Sequence, residues 1–390
     1  MNNHDLSIHG PSTYARQLAH ALRDGFRVHA LLYLFALIVL MAAVLELRIV
    51  GLPLDLQMVM LFTGPVLIVL MIMVLGGLAA EMIRLARSGY RGSVMAALSA
   101  KLRNDYFAPI RVANGLHAAV FMTIYMSGYT FIRRAIPLAN PFSWDPIFSP
   151  ADRYLHFGSH PYEWVAPVLN HTWITFLLNV NYNAWFFVMF ACWFWQGFGS
   201  RDTELRQRFL LGFTLTWFLG TCVLGTIFSS VGPCFYGRLI SGEDPYAPLM
   251  TWLQTANGEI RIWSLNVMDK LWASYESGNG LVNGITAMPS MHVGTSILFV
   301  LLGFASGYRK LGWALSCFAL LIFIGSIHLG WHYAIDGYAG AAVAGLGWWA
   351  AGVLVRWDRK LRAAAGISGE NQPLMPQALR NFSNSAPPAI

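Results

Sequence analysis

Eight apolar stretches run through this chain, at about 28–50, 58–83, 112–132, 172–197, 209–229, 291–306, 312–330 and 333–355. Most reach or approach the roughly 20 residues that an α-helix needs to cross a ~30 Å hydrocarbon core. In lipid, only helices and closed barrels satisfy every backbone hydrogen bond, and stretches of this length select helices. The expected fold is therefore all-α, a polytopic membrane helix bundle with about eight transmembrane helices. Composition agrees, with 56% hydrophobic and 12% charged residues against about 45–50% and 25% in ordinary soluble domains. Fifteen Trp, 25 Phe and 15 Tyr supply the aromatic residues that gather at the lipid headgroup level. The stretch at 291–306 is short, so its start must lie close to the membrane surface.

Charge sets the expected orientation. Of the 26 Lys and Arg, 19 fall before the first stretch, after the last, or in the even-numbered connections, and 7 fall on the opposite side. The positive-inside rule then puts both termini in the cytoplasm and the long loops at about 133–171 and 230–290 outside. A plasma or inner membrane is expected. The net charge of +7 lies in short clusters between apolar runs, which argues against nucleic acid as a partner. The first 27 residues are polar and charged, so no cleavable signal peptide is expected. Cys192, Cys222 and Cys317 lie in apolar runs and Cys234 alone in a polar loop, which predicts neither a disulfide nor a cysteine metal site.

The segments divide accordingly. Residues 1–27 read as a cytoplasmic amphipathic segment, in which Tyr14, Leu18, Ala21, Leu22 and Phe26 share a helical face. Residues 28–111 hold two extra transmembrane helices and a basic loop, and 112–362 form the membrane core. Residues 363–390 are rich in Gly, Ser, Asn, Gln and Pro and read as a disordered cytoplasmic tail.

Two segments carry chemistry. In Ile327-His328-Leu329-Gly330-Trp331-His332-Tyr333-Ala334-Ile335-Asp336, four-residue spacing predicts His328, His332 and Asp336 on one helix face. A carboxylate one turn from an imidazole accepts its N–H and leaves the other ring nitrogen free as nucleophile or base. Structural histidines bonding between helices would also explain this segment alone. In Ala287-Met288-Pro289-Ser290-Met291-His292, Pro289 suits the first helical position. The helix start offers N–H groups and a positive dipole end to an anion. Ser290 would add a hydroxyl, and His292 could protonate a leaving oxygen. Asp152, His156 and His160 repeat every four residues as metal ligands might, but Gly158 and Pro161 interrupt the helix. Gly337, Ala341, Ala344 and Gly345 predict close packing of the last helix on the sixth.

These two motifs resemble those of the type 2 phosphatidic acid phosphatase superfamily, Pro-Ser-x-His and His-x-x-x-Asp. The forms AMPSMH and HYAID look most like the inositol phosphorylceramide synthase branch, and share His-Tyr-x-x-Asp with sphingomyelin synthases. Ser230-Val231-Gly232-Pro233-Cys234-Phe235-Tyr236 resembles that branch's degenerate first motif, and 144–165 its outer loop. The resemblance implies a six-helix phosphatase-type core and a lipid substrate. It also implies a metal-free, cofactor-free reaction in which His332 attacks phosphorus, Asp336 steadies it, and His292 protonates the leaving alcohol. The family's phosphatases carry a Lys and an Arg in the first motif and an Arg six residues before the nucleophile, where this chain has Ser326. Another donor must take their place, and His328, Tyr236, Arg238, Arg261 and Lys270 are the candidates. Their absence favours transfer to an alcohol over simple hydrolysis to phosphate. A transporter of a phosphorylated or anionic solute would explain the spans but not the paired motifs.

Overall fold

The computed structural model describes residues 11–53, 63–199, 203–277 and 284–366. It is all-helical, with no strand among the described residues. The tail expected to be disordered lies almost wholly outside them. Within the described residues the apolar stretches are helical: α1 (Pro11–Val28) leads into α2 (Ala30–Val50), followed by α3 (Thr63–Arg87), α4 (Val94–Lys101) and α5 (Pro109–Ala139). Beyond them come α6 (Asp145–Leu155), α7 (Pro161–Leu169), α8 (Thr172–Gly197), α9 (Glu204–Trp217), α10 (Ala247–Glu259) and α11 (Trp263–Ser277). The chain ends in α12 (Met291–Ala305), α13 (Arg309–His328) and α14 (Ala334–Ala364). Helix α9 runs on through a wide π turn, Phe218–Leu224, to Ile227.

Five described helices are long and apolar enough to cross a membrane, or six if α4 and its π turn form one span with α5 across a 53° bend. Eight crossings were expected; α12 is apolar but only 15 residues long.

The helices read as lipid-facing on one side and packed on the other. Leu32, Ala36, Val39, Ala43 and Leu47 of α2 are buried at helical spacing, while Leu34, Ile38, Met41, Leu45 and Ile49 are exposed. Apolar residues all round a helix are the signature of a span. Contact with α5 is close because Gly128 has no side chain: a Cβ there would stand 2.9 Å from the Leu40 backbone nitrogen. At one end of the bundle, Arg206 is fully buried and donates from Nε to the Gln196 carbonyl at 2.7 Å, with Nη2 2.8 Å from His29 Nε2. The charge rule treats Arg206 as a loop cation, yet it rivets the α1–α2 junction to the α8–α9 turn.

The other end is capped by α6, α7, α10, α11 and a strap at 228–239. Thr172 at the head of α8 bonds Glu259 at the end of α10 (2.8 Å), and Tyr162 of α7 donates to the Pro245 carbonyl (2.7 Å). Under this cap lie the starts of α12 and α14 and both motifs.

Candidate active site

The second motif is not one helix. Helix α13 ends at His328; Gly330 turns back at φ 75°, and α14 starts only at Ala334. Trp331 and His332 donate their N–H groups to the Ser326 carbonyl, at 3.0 and 3.1 Å. This corrects the expectation that His328, His332 and Asp336 share a helix face, because a glycine in the left-handed region ends the helix between them. His328 turns to α8 instead, with Nε2 2.9 Å from the Thr175 hydroxyl, which also accepts from Trp252 at 3.2 Å.

The His332–Asp336 contact survives the break. Asp336 occupies the first turn of α14, where one carboxylate oxygen accepts from the Tyr333 N–H at 3.1 Å. The same oxygen lies 3.2 Å from His332 Nδ1. An acid in a first helical turn that reaches back to the capping residue is half of a capping box; here it also holds an imidazole. Asp336 is fully buried, and its second oxygen has no hydrogen-bond partner.

Helix α12 brings the first motif to the same place. Ser290, not Pro289, adjoins the helix: Ser290 caps α12 with its hydroxyl 3.5 Å from the Val293 nitrogen, and Pro289 precedes it in a cis peptide. The Ser290 N–H donates to the Asp336 carbonyl at 2.8 Å, a direct bond between the two motifs. Two glycines allow it. A Cβ on Gly294 would stand 2.8 Å from the Gly340 carbonyl oxygen, and one on Gly340 would collide with the Ser290 carbonyl. Of the small residues expected at this contact, Gly337 meets Val293 of α12 but mainly faces Phe323 of α13, and Gly345 has open space.

His292 packs against two aromatic rings of α8, its ring centroid 4.3 Å from both Tyr182 and Trp185. Trp185 Nε1 donates to the His292 carbonyl at 3.0 Å.

Two carboxylates of α6 brace the arrangement. Asp152 accepts from the Ala334 and Ile335 N–H groups, at 3.2 and 3.0 Å, and so caps α14 from outside. Asp145 accepts from Val231 and Gly232, both at 2.9 Å, and from the Tyr333 hydroxyl at 2.8 Å. Burial raises both carboxyls above the usual range, Asp152 to about 6, although the N–H donors pull the other way. His156 bonds Tyr338, and His160 bonds Tyr246. Asp152, His156 and His160 thus serve hydrogen bonds between elements, and among the described residues no group of three or more such side chains forms a metal cluster.

The strap completes the floor of the cap. The Ser230 carbonyl and hydroxyl accept from Ala287 and Met288, and Cys234 donates to the Gly330 carbonyl. Tyr236 is buried against Tyr246. Arg238 is exposed, 3.5 Å from Asp269 and over the Trp272 ring, and Lys270 and Arg261 are exposed on the same cap. Of the predicted residues, the structure joins Ser290, His292, His332 and Asp336; Tyr236 packs in the cap, His328 faces Thr175, and the cap cations stay at its surface. A small crevice beside His332, with room for about one water molecule, is lined also by Asp152, Tyr162, Tyr246, Leu249 and Ile327.

A family profile described as the PAP2 superfamily matches residues 147–350, just over half of the chain. No curated protein and no solved structure matches.

Proposed function

Because this chain belongs to the PAP2 superfamily, we propose that it is an integral membrane phosphotransferase that moves a phosphoryl group from a lipid donor through a phosphohistidine at His332, in the manner of inositol phosphorylceramide synthases. The observation that carries the reading is the bonded pair of motifs: His332 on Asp336, and Asp336 on Ser290. With Nδ1 engaged by the carboxylate, His332 presents Nε2. In the first step, Nε2 forms a bond to phosphorus, the bond from phosphorus to the leaving oxygen breaks, and His292 gives that oxygen its proton. In the second, an acceptor oxygen bonds to phosphorus, its proton returns to His292, and the nitrogen–phosphorus bond breaks. Asp336 stabilises the charge that develops on His332. The N–H groups at the start of α12 face an anion with the positive end of the helix dipole.

The lack of the cations that the family's phosphatases carry, with Ser326 six residues before His332 where they have an Arg, favours an alcohol acceptor over water. The reaction unit in this reading is the 112–362 core, with α1–α3 as an addition to it. Hydrolysis to free phosphate is the second reading, because the same histidine step serves water equally. Incubating the purified chain with a diacylglycerophospholipid and a ceramide or diacylglycerol separates them. A new phosphodiester lipid supports transfer, phosphate or headgroup phosphate with no new lipid supports hydrolysis, and no turnover of any phosphorylated lipid rejects both.

A further inference from the structure

Phosphoryl transfer gathers negative charge on the non-bridging oxygens, and helix-start N–H groups are seldom the only compensation. The cap cations do not supply it, since Arg238, Arg261 and Lys270 are exposed. Arg133 of α5 is different. Like its neighbour Arg134 it is only partly exposed, with guanidinium nitrogen buried without a partner, and among the described residues it makes no hydrogen bond and no ion pair; unlike Arg134, it supplies the atoms nearest to Gly284. A guanidinium withdrawn from water with nothing to bond is costly, and in a membrane span it marks a functional position.

Its height in the bundle is fixed by a chain of contacts. Tyr129, one turn before Arg133, packs on Trp217 with centroids 5.0 Å apart, and Trp217 Nε1 donates to Thr295 at 3.0 Å. Thr295 lies one turn into α12, so Arg133, one turn outward, is level with Met291 and His292. The segment that leads into α12 crosses it directly: Gly284 has φ 127°, and a Cβ there would stand 2.7 Å from Arg133 Cγ and 3.0 Å from Nε. The absent side chain leaves room for the arginine beneath the segment that delivers Ser290.

The geometry points to Arg133 as the cation that binds the phosphoryl oxygens of the lipid substrate at the start of α12, opposite His332. This rests on the proposed function and assigns a residue to it. The planar fork of Arg binds two phosphate oxygens at once, which Lys does not.

The full-length chain in detergent, with orthovanadate as the probe, tests this. Vanadate binding is read by vanadium NMR line broadening, independently of turnover, and lipid turnover is measured on the same samples. R133Q is expected to weaken vanadate binding by about tenfold to a hundredfold, the worth of hydrogen bonds to a charged group. It should raise KM for the lipid similarly, with R133K recovering part of both. R134Q, which changes the adjacent arginine that does not supply the atoms nearest to Gly284, should bind as the wild type does. If the wild type binds vanadate and R133Q binds it equally well, or R134Q loses as much, the assignment of Arg133 is wrong while the proposed function stands. If R133Q does not fold, R133K decides alone: binding equal to wild type overturns the assignment. A wild-type chain that turns over no phosphorylated lipid removes the function and this assignment with it.

Discussion

At the level of single residues, the account depends on which side chains meet the reacting phosphorus and which only hold them. Asp336→Asn is expected to lower turnover by on the order of 10³–10⁴-fold, because an amide neither stabilises an imidazolium nor selects its tautomer. The variant should still purify as a monodisperse protein, and turnover within tenfold of wild type would contradict the role. Asp152 is a holding residue, with two bonds to the start of α14, and Asp152→Ala should cost about 1–3 kcal/mol. Its carboxyl is raised from 3.8 to about 6 in the folded protein, so between those values the folded chain holds a proton that the unfolded chain has lost. The contribution of Asp152 to stability is therefore greatest below pH 4, falls as pH rises towards 6, and stays lost above it. Relative to Asp152→Asn, the wild type should lose up to about 2–3 kcal/mol across that window. Unfolding midpoints of both proteins from pH 4 to 7 measure this, and a constant difference would contradict it. Arg133 was invisible in the sequence for a physical reason. It falls at the end of an apolar run beside Arg134, where a cation reads as an interfacial anchor, and only the tertiary packing of α5 sets it against Gly284 on the approach to α12.

Among the elements, the decisive contact is the crossing of α12 and α14 at Gly294 and Gly340. A methyl at Gly340 meets the Ser290 carbonyl and must push the two motifs apart. Gly340→Ala is expected to destabilise the fold by roughly 1–3 kcal/mol and to lower turnover by an order of magnitude or more. Gly345→Ala, on the same helix with open space around it, should be neutral or slightly stabilising, since Ala is the better helix former. Equal tolerance at both positions, read as detergent unfolding temperature and turnover, would show that the crossing is not what aligns the site. The sequence made the helices legible because apolar run length alone distinguishes a span. It also exposed Ser290, His292, His332 and Asp336, since their spacing is local. The break at Gly330 was harder to see: His328, His332 and Asp336 keep a helical period, and the four-residue spacing of the last two is reproduced by a cap and a first turn rather than by continuous helix. Asp145 and Asp152 were missed as braces because their partners are backbone N–H groups some 80 to 180 residues away, which no periodicity reveals. The four-residue spacing of Asp152, His156 and His160 did draw attention to the right segment, but to metal chemistry and not to helix capping.

For the molecule as a whole, both motifs, the strap and the cap helices lie at one end of the bundle, and Arg206 with the α8–α9 turn lies at the other. The distribution of Lys and Arg predicts that the capped end faces away from the cytoplasm. A single cysteine at Ser277, exposed at the end of α11, should then react with a membrane-impermeant maleimide on intact cells in a background where Cys317 is replaced. Labelling only after permeabilisation would reverse the orientation without touching the site. The gathering of the motifs under one cap makes sense of a lipid substrate, whose headgroup stays at the interface while its chains remain in the bilayer. The central claim is that the phosphoryl group passes through His332, and the most direct measurement is mass spectrometry of the chain quenched in base during turnover of a phosphorylated lipid. The account predicts an acid-labile phosphoryl adduct on the peptide that contains His332, absent from His332→Ala. An adduct on another residue, or continued turnover by His332→Ala, would contradict it.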